Sequence, residues 1–350
     1  MKQWQLHRKP WAEQTAPACR VIIDNDFAGD PDDLYQLVHH LLSDTVDIRF
    51  IICSHLRAGD FIDPSGDTVA HAETRVRTLL GHMGCDVGDI IVRGSEQPLQ
   101  PADLTGHSAH PQPSQACDAI IREAMRDDTD VPLYYVAGGG VTDLISAYLT
   151  EPRIADRMRV VWIGGQEYPG VRPPLNRVCT EYNADIDPLA ARMLLCDTPF
   201  ELWQVPRNAY RQCLVSIAEL RERVLPCGEI GWFLYDSMNT IRTHDDRYGT
   251  RATGAYCLGD SPLVSLTALL TPWEVAPASH HWHTVSAVRL DEHDRPVAVD
   301  EWPDAGDDGH AGPDERAGRR AIHIVDQVDT RLLFEDLFAQ LRAFHRWQEA

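Results

Sequence analysis

Lysine is almost missing from this chain. The only two, Lys2 and Lys9, lie near its N-terminal end, and arginine carries the remaining positive charge. Without an internal lysine there is no Schiff-base nucleophile, no lysine for pyridoxal phosphate and no P-loop lysine. Basic residues as a whole are scarce: 32 Lys and Arg against 53 Asp and Glu leave a net charge of −21. Such a surface repels phosphate backbones, which excludes nucleic acid as a partner. No apolar run approaches the roughly 18 residues of a membrane span. The opening MKQWQLHRKPWAEQ has no signal-peptide apolar region, so no membrane partner is expected. Nine cysteines are scattered singly with no C-x-x-C. An odd, dispersed set reads as reduced thiols in a cytoplasmic protein, not as a disulfide or zinc framework.

What the chain does contain is a repeated strand–helix alternation. Residues 20–24 (RVIID) form a β-branched run ending in an acidic loop. Leu34, Leu37, Val38, Leu41 and Leu42 then recur at helical spacing, and 48–53 (IRFIIC) returns as an apolar strand. Strand, helix, strand within about 35 residues is a βαβ unit and implies a parallel sheet. The alternation continues: helix 68–81 and strand 90–92, helix 115–126 and strand 132–137, helix 142–149 and strand 159–163, helix 188–195 and strand 200–205. The expected fold is α/β, a single large domain with a doubly wound, mostly parallel, Rossmann-like sheet. Residues 1–19 read as an N-terminal tail and 20–350 as the domain. Within it, the Asp-, Gly-, Pro- and Arg-rich 291–320 reads as a polar loop or arm, and 331–347 as a closing helix.

The loop after the first strand carries the chemistry. Asp24, Asp26, Asp30, Asp32 and Asp33 place five carboxylates in ten residues, where open parallel sheets collect ligands. Asp24 and Asp26 share one side of an extended segment. Asp32 and Asp33 enter a helix whose dipole contributes only about 0.3–1 kcal/mol per charge, too little to hold five converging anions. A hard divalent cation, calcium or magnesium, resolves the conflict. The plainer alternative is a solvated loop whose acids cap a helix. An EF-hand reading fails, because Ala28 and Tyr35 stand where ligands are needed. A magnesium phosphohydrolase with D-x-D after its first strand lacks its later lysine here.

Further along, the segment IIDNDFAGDPDDLYQLVHHLL resembles the N-terminal calcium motif of the inosine-uridine-preferring nucleoside hydrolase family, D-x-D-x-x-x-D-D. Val136–Leu144 (VAGGGVTDL) is similar to its A-L-G-P-L-T-N-I stretch, and Trp162-Ile163-Gly164-Gly165 to its M-G-G strand end. Thr180–Ala191 (TEYNADIDPLAA) resembles E-F-N-x-x-x-D-P-x-A-A with the same internal spacing, and Gly259–Leu263 (GDSPL) resembles H-D-P-L. The matches fall in the family's order from about residue 20 to 340.

The resemblance implies a nucleoside hydrolase-like fold and hydrolysis of the N-glycosidic bond of a ribonucleoside or related ribosyl compound, giving ribose and free base. On it, Asp26 would be the base that activates water. Asp24, Asp33, the backbone carbonyl of Thr142 and Asp260 would hold a calcium ion. Asp32 and Asn183 would bind the ribose hydroxyls, and Glu181 with Asn176 the 5-hydroxyl end. Similar proteins are homodimers or homotetramers.

The residues support this chemistry independently. An oxocarbenium-like transition state needs negative charge near the sugar and a positioned water. Glu181 and Asn183, two apart, share a face on an extended segment. Their plainer reading is a polar strand end before a helix capped by Asp187 with Pro188 at its first position. Three departures mark a divergent member. The acidic loop is two residues longer and adds Asp30. The family's G-N turn appears only as Gly59-Asp60, leaving Ser54 or His55 to line the mouth. Gly259 replaces the His that precedes the last calcium aspartate, a proton donor to the base. His244, Tyr248, Tyr256 or Trp232 are the substitutes within reach of the sequence. A non-catalytic ribose-binding relative is therefore the second reading.

Overall fold

The computed structural model describes residues 1–12, 15–102, 108–171, 180–243, 253–271, 279–301 and 320–350. The first strand of its main sheet is β1 (Cys19–Asn25), seven consecutive buried residues. A strand covered on both faces needs apolar residues at every position, and Cys19-Arg20-Val21-Ile22-Ile23 comes close to that. The remaining strands of the main sheet are β2 (Val46–Cys53), β3 (Ile91–Arg93), β4 (Leu133–Ala137), β5 (Arg159–Ile163), β6 (Glu201–Val205), β7 (His281–Leu290), β8 (Pro296–Glu301) and β9 (Ile322–Gln327). Their spatial order is β8-β7-β9-β6-β5-β4-β1-β2-β3. Every pairing from β9 to β3 is parallel, and β7 runs antiparallel to β8 and β9.

Alternation along β1 builds two apolar layers. Val21 and Ile23 pack with Leu34, Leu37, Val38 and Leu41 of α1 (Asp32–Leu42), while Ile22 packs with the opposite layer. That second layer holds α3 (Gln115–Ala124) and α4 (Thr142–Thr150), through Ala116, Ile120, Leu144 and Ile145. Between α1 and α3 in the chain, α2 (Thr68–Met83) covers the first layer through Ala72, Val76 and Leu79. This is the doubly wound α/β fold the alternation implied. Strand order reverses between β1 and β4, and their carboxyl ends open the crevice that ligands use in such sheets.

Two stretches differ from their sequence reading. The N-terminal stretch is docked, not loose: Trp4–Gln5 pairs with Cys85–Asp86, and Trp4 and Trp11 pack on Phe344 of the closing helix Thr330–Glu349. Within 291–320, Pro296–Glu301 is strand β8, hydrogen-bonded to β7 across a turn with Asp294 at φ 56°. Residues 302–319 of that arm lie outside the described residues. Alternating apolar residues Val297 and Val299 explain the strand, which the surrounding charge obscured.

Candidate active site

The strand ends at Asn25, and the chain turns at once, with the Gly29 amide donating to the Asp26 carbonyl at 2.7 Å. The turn separates residues that a continuing strand would have kept together. Asp24, on the Ile22 face, accepts from the Ser54 hydroxyl and the Tyr135 phenol, facing Asp143. Asn25, on the Ile23 face, donates to Gln36 Oε1 at 3.1 Å and to Asp260 Oδ2 at 3.2 Å, and accepts from the Gly138 amide at 3.0 Å. Asp26 opens the turn, beside Asp33 and Asp260. The expectation that Asp24 and Asp26 share a side is therefore corrected: the strand stops one residue too early.

Asp26, Asp33 and Asp260 form the electrostatic centre. All three are buried, and their carboxyls sit well above the usual carboxylate range. Burial is the main cause in each; Asp33 then raises Asp26, and Asp33 with Asp26 raises Asp260. Asp26 Oδ2 and both oxygens of Asp33 are buried without a hydrogen-bond partner. An unpaired buried acceptor costs about 1–3 kcal/mol, more if charged, so these three oxygens call for a cation. Asp32 is also raised by burial and by Asp260; its carboxylate accepts from the Asp33 and Asp260 amides at 3.1 and 3.2 Å. Among the described residues, no three His, Cys, Asp or Glu side chains already stand as a closed group around an ion.

Arg75 of α2, unremarked in the sequence, fixes the longer loop. Its guanidinium donates to the carbonyls of Phe27 and Gly29, both at 2.9 Å, and its charge lowers Asp33 and Asp30. The inserted Asp30 accepts from the Tyr256 phenol at 2.7 Å and the Asp32 amide at 3.3 Å. Gly138 and Gly139, just past β4, leave room for the acids. A side chain at 138 would collide with the Asp260 carboxylate, and one at 139 would come within 3.1 Å of Asp26.

Glu181 and Asn183 lie on a helix, not on an extended segment. Glu181 is the N-cap of Tyr182–Ile186, accepting from the Asn183, Ala184 and Gly165 amides at 3.2, 3.0 and 2.9 Å and from the Tyr210 phenol at 2.9 Å. Asn183 donates to the carbonyls of Gly138 and Ile163 at 3.0 and 2.8 Å, leaving its oxygen for a ligand. Asp187 caps the next helix, Pro188–Cys196, with Pro188 in its first turn, as read from sequence. The Thr142 hydroxyl donates to Asp187 at 2.6 Å.

These residues surround a cavity of about 200 Å³ lined by Asp26, Asp30, Asp32, Glu181, Asn183 and Asp260, with Phe61, Ile62, Tyr182, Tyr210, Cys257 and Gly259 closing it. Asp24, Asp33 and Thr142 are not among its lining residues; Asn176 lies outside the described residues, as do His244 and Tyr248. Trp232 is exposed on the helix Gly228–Thr243 and does not line the cavity. Ser54 is taken by Asp24, and His55 is buried with both ring nitrogens unpartnered; neither lines the mouth. That wall belongs to Phe61 and Ile62, with Asp60 behind them accepting from the Tyr182 phenol at 3.0 Å. Gly259 follows from Tyr210: a β-carbon there would lie 3.2 Å from that ring and 3.1 Å from Asp32.

Solved structures that share this fold include nucleoside hydrolases. The family described as inosine-uridine preferring nucleoside hydrolase matches residues 21–335. A plant nucleoside hydrolase superposes with a TM-score of 0.65 at 18% identity, covering 93% of this chain and 99% of its own. A purine-preferring ribonucleoside hydrolase from Gardnerella vaginalis gives 0.64 at 17%, covering 94% and 99%. An inosine-uridine preferring nucleoside hydrolase from Bacillus anthracis gives 0.62 at 15%, covering 93% and 99%. No curated protein sequence matches the chain. With the family spanning nearly the whole sequence and the fold shared end to end, this chain belongs to the inosine-uridine preferring nucleoside hydrolase family and is a hydrolase.

Proposed function

We propose that the protein hydrolyses the N-glycosidic bond of ribonucleosides with one calcium ion. The observation that carries this reading is the trio of buried, unpartnered oxygens on Asp26 and Asp33, with Asp26 and Asp260 lining the same cavity as Asp32, Glu181 and Asn183. Asp26, Asp33 and Asp260 are the carboxylates that fit the ion; oxygen-only donors favour calcium or magnesium. Asp24, with both oxygens bonded by Ser54 and Tyr135, takes a structural role in this proposal, while the backbone carbonyl of Thr142 keeps its place as a ligand on the family motif alone. When bound, calcium would supply positive charge that acidifies water and binds a sugar diol.

Asp26 is the acid that both lines the cavity and has an unpartnered oxygen, so it takes the proton from the attacking water. Asp32 and Asn183 accept from the ribose hydroxyls. Glu181, held by four donors, receives the 5-hydroxyl end and contributes negative charge toward the oxocarbenium-like state. Asn176 is proposed beside it, on the family motif alone. We further place the protein in the cytoplasm as a homodimer or homotetramer.

Reducing-sugar release from a ribonucleoside panel, with and without chelator, tests the proposal. Release that stops on chelation and returns with calcium supports it. Gly259 in place of a proton donor favours one second reading, a non-catalytic ribose-binding relative. That protein would be stabilised by nucleosides without releasing sugar.

A further inference from the structure

Charge in the cavity is strongly one-sided. Five carboxylates line it, Asp26, Asp30, Asp32, Glu181 and Asp260, and no basic side chain does among the described residues. Arg207, paired with Glu167, and the exposed Arg211 act on Tyr210 and Cys257 from outside the lining, and two further arginines nearby are engaged elsewhere. Arg75 holds the Phe27 and Gly29 carbonyls, and Arg57 pairs with Asp60 and Asp185. One divalent ion offsets only part of this charge. Among the described residues, the phenol and thiol protons that line the cavity are equally committed: the phenol of Tyr210 donates to Glu181, that of Tyr182 to Asp60, and the Cys257 thiol to the Tyr210 carbonyl at 3.5 Å.

Cleaving a neutral nucleoside expels the bonding pair onto a base that then needs a proton, and a general acid contributes about 10²–10⁴-fold to that step. Resting on the hydrolase reading above, we propose that the preferred substrate is a ribonucleoside with an already cationic base, an N-ribosylpyridinium or an N7-alkylated purine nucleoside, with Asp30 as its counter-charge. With the sugar on Asp32, Asn183 and Glu181, the walls left for the base are Asp30, Phe61, Ile62, Tyr182 and Cys257. Phe61 and Tyr182 already carry one cation, with Arg57 5.8 and 5.5 Å from their ring centres. Their π-faces suit a second flat cation.

The bookkeeping of the step closes. The C1–N bond breaks, and its electron pair cancels the positive charge on the ring nitrogen, so the base leaves neutral. Water oxygen bonds to C1, and its proton passes through Asp26 to solvent. One proton is released per turnover, and no leaving-group acid is needed.

The test compares kcat/KM for 7-methylguanosine against guanosine and for nicotinamide riboside against uridine, in the full-length calcium-loaded protein and in Asp30→Asn and Asp30→Glu. The cationic member of each pair is expected to be favoured by about 100-fold or more, the scale of a missing general acid. Cationic nucleosides are intrinsically more labile, so the variants decide: Asp30→Asn narrows both ratios by about tenfold, and Asp30→Glu restores them. Asp30→Ser replaces the Asn variant if that fails to fold. A ratio near one, or a ratio unchanged in folded Asp30→Asn, overturns the proposal while leaving the hydrolase reading standing. Sugar release from none of the four compounds overturns both.

Discussion

Asp24 and Asp26 are separated by a single residue, yet they live in opposite chemical worlds. Asp24 is buried with both oxygens bonded, by Ser54 and Tyr135, and its carboxyl is pushed up to about 8 by burial and then by Asp143. Asp26 is just as buried, but Oδ2 has no partner and its neighbours are other acids. The difference teaches how to separate structural from functional carboxylates in one motif. A satisfied buried acid has finished its chemistry inside the fold; an orphaned one next to a cavity is waiting for something from outside. The end of β1 at Asn25 produces the split, leaving Asp24 beside Asp143 of α4 and turning the chain beyond Asn25 toward Asp33 of α1.

The sharpest break of this comparison is the paired exchange of amide for acid. Asp26→Asn is expected to lower kcat by about 10²–10⁴-fold, the worth of a general base, with the protein folded. Asp24→Asn, by contrast, is expected to keep kcat within about tenfold, because the amide oxygen still accepts from one of the two hydroxyls of Ser54 and Tyr135 and the amide NH2 can donate to the other. Steady-state kinetics on the two variants checks both. Truncating the satisfied acid exposes its true role: Asp24→Ala should cost about 1–3 kcal/mol by leaving Ser54 and Tyr135 unpaired, read by urea unfolding.

Acidity sharpens the contrast. In chelated protein, the folded state holds protons on Asp24 that the unfolded chain, at its ordinary value of 3.8, has lost. Stability therefore falls as pH rises from about 4 to about 8, and levels off above. Asp24→Asn should flatten part of that slope, measured by unfolding at a series of pH values. The smallest effect is expected from Arg75→Met. Freeing the Phe27 and Gly29 carbonyls loosens the acidic loop and weakens calcium binding by about tenfold, as second contacts around metal sites do.

Much of the architecture was legible because its signals are periodic. Leu34, Leu37, Val38 and Leu41 announce α1, and the recurring apolar runs announce the parallel sheet. The acids of the site were legible as a group through density and position. Their partition was not, because it depends on where β1 ends, and nothing in Asp24-Asn25-Asp26 marks that residue. Asn25 carries no signal of its role in the sequence, although its amide ties Asp260 to Gly138. Glu181 looked like part of a strand, since a Glu N-cap is a weaker helix signal than the Asp187-Pro188 pair that follows. Tyr210 and Arg75 reach the site from distant helices, and a lone tyrosine or arginine carries no local mark of such a contact. Gly259, by contrast, was noticed at once, and the ring of Tyr210 supplies its reason.

Calorimetric titration of calcium into chelated protein tests the central claim most directly, with Asp33→Asn and Asp24→Asn alongside the unaltered chain. One ion is predicted to bind per chain, to be lost in Asp33→Asn and to persist in Asp24→Asn. Equal loss in both variants, or no binding to the unaltered chain, would contradict it.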